Sequence, residues 1–182
     1  MFLFLKYLIQ LILSPENGWQ DLENSKPDAT KLARTGLYPL LGILAATELL
    51  SFFYEKDITI GEVLIRAITD FGTFFASLFI AKLIIELYIG RLTASRPDSN
   101  RIDTLAVIGI GLMTLTQIIN NCLPWSLVVL TILPIYVILV LFKAIPYIGI
   151  NKDNELKFTG LCAGAIVAVP LIIYYLLHLI IS

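Results

Sequence analysis

Apolar residues in this chain come in long, unbroken runs. Five of them approach the roughly 20 residues that a helix needs to cross the hydrocarbon core of a bilayer: Thr35–Tyr54, Phe71–Gly90, Ile102–Asn121, Trp125–Ile145 and Phe158–Ile181. None keeps the polar face of a helix on a water-facing surface, and none alternates as the strands of a membrane barrel do. The pattern predicts an all-α fold, a polytopic membrane bundle of five transmembrane helices over residues 35–182, behind an N-terminal arm of residues 1–34.

The stretches between the runs carry their own signals. Met1–Leu13 is apolar but too short to span, and Lys6, Gln10 and Ser14 recur every four residues along one narrow stripe. That spacing fits a short interfacial helix with its stripe toward water, ended by Pro15. Ser14–Arg34 is polar, with turn or helix-start signals at Asn17-Gly18 and Pro27-Asp28 and room for a short helix around Trp19–Asn24. Ile58–Asp70 is amphipathic: Glu62, Arg66 and Thr69 share one face, and Ile60, Val63, Leu64 and Ala67 the other. It either extends the second spanning helix or, the preferred reading, lies flat ahead of it, hinged at Phe71-Gly72.

Composition strengthens the membrane reading. Of 182 residues, 58% are hydrophobic and 15% charged, against roughly 45–50% and about 25% in soluble domains. A net charge of −1 leaves no basic footprint for nucleic acid. The apolar start of the chain lacks the basic segment and small-residue site of a cleavable signal. Basic residues collect in loops that an odd number of crossings places together: Lys6, Lys26, Lys31 and Arg34; Arg91, Arg96 and Arg101; Lys143, Lys152 and Lys157. Only Lys56 and Arg66 fall on the other side. Positively charged short loops stay cytoplasmic, so the N-terminus is expected in the cytoplasm and the C-terminus outside, in a cell membrane of bacterial type. Cys122 and Cys162 then sit near opposite faces, about 30 Å apart, where a disulfide requires Cα atoms within ~6 Å.

Three charges fall inside the spans: Glu48, Lys82 and Glu86. Each costs on the order of 3 kcal/mol at a span centre, and pairing is the usual remedy. Counting at ~1.5 Å per residue puts Glu48 and Lys82 within about 8 Å in depth. A Glu48–Lys82–Glu86 cluster is the expected intramembrane polar site, with Lys82 and Glu86 neutralising each other along one helix as the plainer alternative. Gln117, Asn120 and Asn121 form a second polar group at the outer end of the third span, followed by Pro124 and Trp125. Interhelical hydrogen bonds or a tight hairpin explain it. His178, the single histidine, is read as interfacial. Pro134 and Pro170 interrupt the fourth and fifth spans. Gly160, Gly164 and Ala168 make a small-residue stripe, and Gly109 and Gly111 act alike in the third span; close helix packing is the role expected of all five.

No nucleophile elbow, zinc-protease helix, phosphate loop or paired-carboxylate motif is present, so no enzymatic activity, metal or cofactor is expected. The stretch Ser14-Pro15-Glu16-Asn17-Gly18-Trp19 resembles the Pro-x-x-x-Trp approach to the first span in prokaryotic members of the Yip family of Ypt/Rab-interacting membrane proteins. Pro15, Glu16 and Trp19 are the matching positions. Gly149–Leu171, with Lys157-Phe158-Thr159-Gly160 opening the last span, is similar to that family's turn into its final helix. The long cytosolic region and the Asp-Leu-x-Gly-Pro motif of eukaryotic members are absent; Asp70-Phe71-Gly72 is a poor substitute. The resemblance implies a compact five-helix membrane module without the Rab-binding role. The function expected first is a membrane scaffold or assembly/trafficking-related factor, partnering the bilayer and itself or another membrane protein; the alternative is a small transporter or channel component built on the intramembrane Glu48, Lys82 and Glu86.

Overall fold

The computed structural model describes residues 1–93, 97–123 and 127–181, without the side chains of 127–131, 178, 180 and 181. Arg96, Pro124, Trp125 and the His178 side chain therefore lie outside the described residues. The described chain is helices joined by short turns and linkers, with one isolated antiparallel bridge between Thr93 and Ile150 and no strands among the described residues.

Two short helices lead. Helix α1 (Phe2–Leu13) buries Phe4, Tyr7, Leu8 and Leu11, and Pro15 opens α2 (Pro15–Ser25). They form a hairpin tied by Tyr7 Oη donating to Ser25 Oγ at 2.9 Å and by Gln10 donating to Asp21. The expected polar stripe is part of this arrangement, with Lys6 exposed and Gln10 and Ser14 half-buried. Phe4, however, reaches into the bundle between two glycines. A Cβ on Gly111 would stand 2.6 Å from Phe4 Cζ, and one on Gly36 would overlap the same ring.

The first long helix runs Ala29–Phe53, six residues earlier than its apolar run suggested, because Asp28 caps it by accepting from Thr30 N and Lys31 N. It is assembled from α3 (Ala29–Leu32), a π-helical turn Ala33–Leu37, α4 (Tyr38–Thr47) and a 3-10 stretch Glu48–Phe53. The last helix has the same device: α9 (Glu155–Cys162), a π turn Ala163–Ala168, then α10 (Val169–Ile181). Each π turn ends two residues before a proline, Pro39 or Pro170. Proline has no N–H and its ring crowds the carbonyl four residues back; a widened turn accommodates both.

Helix α5 (Ile60–Ile89) is continuous for 30 residues. The flat segment and the hinge expected at Phe71-Gly72 are not there. Thr59 and Glu62 form a reciprocal capping box that starts the helix at Ile60, and a helical glycine costs only about 1 kcal/mol, too little to break it. Helix α6 (Ser99–Cys122) follows. Four helical segments are long and apolar enough to cross a membrane: Ala29–Phe53, Ile60–Ile89, Ser99–Cys122 and Lys152–Leu177. The expected fourth run is helix α7 (Leu127–Phe142), whose 16 residues, with Pro134 inside, cover ~24 Å, less than the ~30 Å core. Outward faces stay apolar in rows of four-residue spacing, Phe79, Leu83 and Leu87 on α5 and Leu171, Tyr175 and Leu179 on α10. Water-soluble monomers avoid such contiguous surface.

The three basic segments meet at one end of the bundle. Asn151 N donates to Leu92 O, and Arg101 Nη1 to Tyr147 O at 2.7 Å, beside the short helix α8 (Ile145–Ile148). Asn100 bonds Pro27 O and Ala29 N. Glu23 pairs with Arg101 at 3.2 Å, and Glu16 with Lys143. At the far end Tyr54 Oη donates to Asn121 O at 2.8 Å, and Arg66 grips Glu55 through both guanidinium nitrogens. Gly149, with φ of 80°, makes the turn between α8 and α9 that an L side chain would strain.

Candidate intramembrane polar site

Asn121, in the last turn of α6, is the hub of a buried polar group at the end of the bundle away from the basic loops. Its Nδ2 faces three acceptors: Glu48 Oε1 at 2.7 Å, Asp70 Oδ2 at 3.1 Å and Thr47 Oγ1 at 3.1 Å. Gln117, one turn earlier, donates to Asn121 Oδ1 at 3.1 Å and also reaches Asp70. Glu48, Asp70 and Asn121 are 9%, 2% and 6% exposed. The two carboxyl groups are in hydrogen-bonding contact with each other. The outer-end amides read from sequence are therefore joined to one of the three predicted charges.

The Glu48–Lys82–Glu86 cluster is not formed around Glu48. Lys82 Nζ instead sits 3.2 Å from Asp103 Oδ2 on α6. The depth count failed because the first span was started at Thr35: the helix begins at Ala29, which puts Glu48 nineteen residues, about 28 Å, from the basic end. In the continuous α5, Asp70 is level with Glu48, and Lys82 lies twelve residues further along, about 18 Å away. Asp70 was missed because the second span was started at Phe71, although the Thr59-x-x-Glu62 capping box was the signal that could have found it. Glu86 keeps an interaction of its own.

Beside the acid pair lies a cavity of about 260 Å³ between α5, α6, α7 and α10. Thr73, Gln117, Asn120 and Tyr174 give it polar groups, and Pro134 and Pro170 both line it. The two proline-interrupted helices thus bound one space. Thr73 is 1% exposed and its Oγ1 has no hydrogen-bond partner; Asn120 Oδ1 is also buried without one. Buried polar atoms are seldom left so.

At the rim, the Arg66 guanidinium holds the Glu55 carboxyl below the usual carboxylate range, and burial pushes the Tyr54 phenol up. The residues resembling the Yip approach motif serve packing at the opposite end. Pro15 opens α2, Glu16 pairs with Lys143, and buried Trp19 donates from Nε1 to Val140 O at 2.8 Å while its ring lies 5.2 Å from Tyr147. Among the glycines, Gly109 faces Ile166 and Gly111 faces Phe4 in close helix contact, whereas Gly160 and Gly164 have no atom within 4 Å of a built Cβ, and Ala168 is half-buried. Cys122 is exposed and Cys162 buried, both free.

Fold and site together define a helical chain with several helices able to cross a membrane, as in a multi-pass membrane protein, and with a buried acid–amide cluster beside a cavity. Comparison with family models, curated proteins and solved structures finds no match.

Proposed function

We propose that the chain is a non-catalytic, five-crossing protein of the cell membrane, N-terminus cytoplasmic and C-terminus outside, that works as a small transporter or channel component. The observation that carries this reading is the acid pair Glu48 and Asp70, buried beside a cavity that two proline-interrupted helices line. Ionisable groups at membrane depth are costly, and where they persist they usually mark a solute or ion path. α7 is the fifth crossing in this reading; its ~24 Å need only modest local thinning of the bilayer.

The test is water access. Thr116 lines the cavity and is half-buried. In a Cys122→Ser background, Thr116→Cys should react with a charged, membrane-impermeant methanethiosulfonate reagent added to the outer side. If only a lipid-soluble maleimide labels it, the cavity holds hydrocarbon, and the transport reading fails.

A scaffold or assembly role is the second reading, favoured by Gly160 and Gly164. Their open surface is what a second transmembrane helix uses for close approach. Gly164→Leu should abolish a crosslinked assembly without unfolding the monomer; a protein monomeric with or without that change would count against it.

A further inference from the structure

Among the described residues, no basic side chain forms an ion pair with Glu48 or Asp70. Asn121 Nδ2 carries two hydrogens and faces three acceptors, Thr47, Glu48 and Asp70. The Thr47 hydroxyl is itself spent on Leu44 O at 2.6 Å. Gln117 turns its amide inward, to Asn121 Oδ1 and Asp70. Arg66, one turn before Asp70, is held by Glu55. Lys82 is held by Asp103. Both basic side chains of α5 are thus engaged elsewhere, and neither pairs with the two carboxyl groups.

The cavity beside the pair has unmet hydrogen-bonding groups of its own. Its two unpartnered buried atoms are oxygens, Thr73 Oγ1 and Asn120 Oδ1. Thr73 lies one turn beyond Asp70 on the same helix, is 1% exposed, and borders the cavity. A ligand there meets oxygen acceptors on one side and Phe74, Met113 and Leu171 on the other. A hard divalent cation requires six or more oxygens, and among the described residues no third acidic, histidine or cysteine side chain joins the pair. A short alkyl chain ending in an ammonium fits such a lining: its N–H groups donate to the unpartnered oxygens, its charge offsets the neighbouring acid pair, and its carbons fill the apolar wall.

We infer that the cavity beside Glu48 and Asp70 binds a small organic ammonium cation, with Thr73 and Asn120 as further acceptors. This rests on reading the cavity as a binding site. The probe is n-butylammonium, titrated into the full chain in lipid nanodiscs at fixed ionic strength, with n-butanol as the neutral isostere and sodium as the inorganic cation. Saturable butylammonium binding is expected, at least about tenfold tighter than butanol, since a charged hydrogen bond is worth ~1.5–3 kcal/mol. Asp70→Asn should weaken it about tenfold or more, and Thr73→Val by a few-fold, with butanol unaffected.

Equal binding of butanol and butylammonium would show a merely apolar pocket and overturn the inference. So would sodium binding that excludes butylammonium, or no binding by any probe. Should Asp70→Asn fail to fold, the wild-type comparison of the two isosteres and Thr73→Val still decide. The two proposals fail separately. Thr116→Cys labelled from water without butylammonium binding leaves transport standing and removes the ammonium; butylammonium binding with Thr116→Cys sealed from water does the reverse.

Discussion

Single contacts in this bundle differ sharply in how much they carry. Trp19 is buried, and its indole N–H is the partner of Val140 O. Trp19→Phe keeps most of the apolar volume and orphans that carbonyl, so thermal unfolding in detergent should show a loss of about 1–3 kcal/mol. Gly111 and Gly164 make a sharper pair. Phe4 is wedged between Gly36 and Gly111, and its ring cannot retreat from a new methyl group. Gly111→Ala should destabilise by roughly 1–3 kcal/mol, whereas Gly164→Ala, with open space around it, should be neutral or slightly stabilising. Equal effects would mean that Phe4 is not seated there. Glu16 is a surface case. Lys143 beside it holds its carboxyl below the usual range. A carboxyl lowered on folding stabilises above its unfolded value and loses that contribution as pH falls through the folded one. The stability difference between wild type and Glu16→Gln should therefore be present at neutral pH and vanish in acid; a difference that grows in acid would reverse the assignment.

Helices were legible where a local signal begins or ends them, and misread where a non-local fact decides. Pro15 ends α1 as the sequence suggests and also opens α2, and Asp28, in the Pro27-Asp28 helix-start signal, caps α3. The start of α5 was equally local, in the Thr59–Glu62 capping box, but Gly72 was given more weight than its ~1 kcal/mol deserves. That one boundary error moved the second span by eleven residues and hid Asp70, and with it the partner of Glu48. The Lys82–Asp103 pair is a contact between two helices whose relative register no single run reveals. The polar amides Gln117 and Asn121 were visible as a group; that a carboxyl from each of two other helices converges on Asn121 was not. Gly72→Ala tests the continuous helix directly. A built Cβ there meets nothing within 4 Å, so the change should raise stability by up to about 1 kcal/mol and leave cavity access by Thr116→Cys unchanged. A hinge at Phe71-Gly72 would instead be stiffened, and access would change.

The whole molecule sorts its charges by end. The N-terminal arm, the segment leading into α6 and the segment around α8 are joined by Glu16–Lys143, Glu23–Arg101, Asn100–Pro27 and the Thr93–Ile150 bridge. Glu55, Arg66, Tyr54 and Asn121 gather at the other. Such a bundle has apolar rows facing outward between the two ends, and in the proposed layout its basic end lies in the cytoplasm and the acid pair toward the outer face. Every statement about depth, access and pairing depends on that layout. The most direct measurement is sided labelling of single cysteines at Lys26, Lys56 and Lys152 in a background with Cys122 and Cys162 replaced by serine and alanine, using an impermeant maleimide on intact cells and on inside-out vesicles. Lys26→Cys and Lys152→Cys should react only in inside-out vesicles, and Lys56→Cys only on intact cells. Lys26→Cys and Lys152→Cys reacting from opposite sides would contradict the layout.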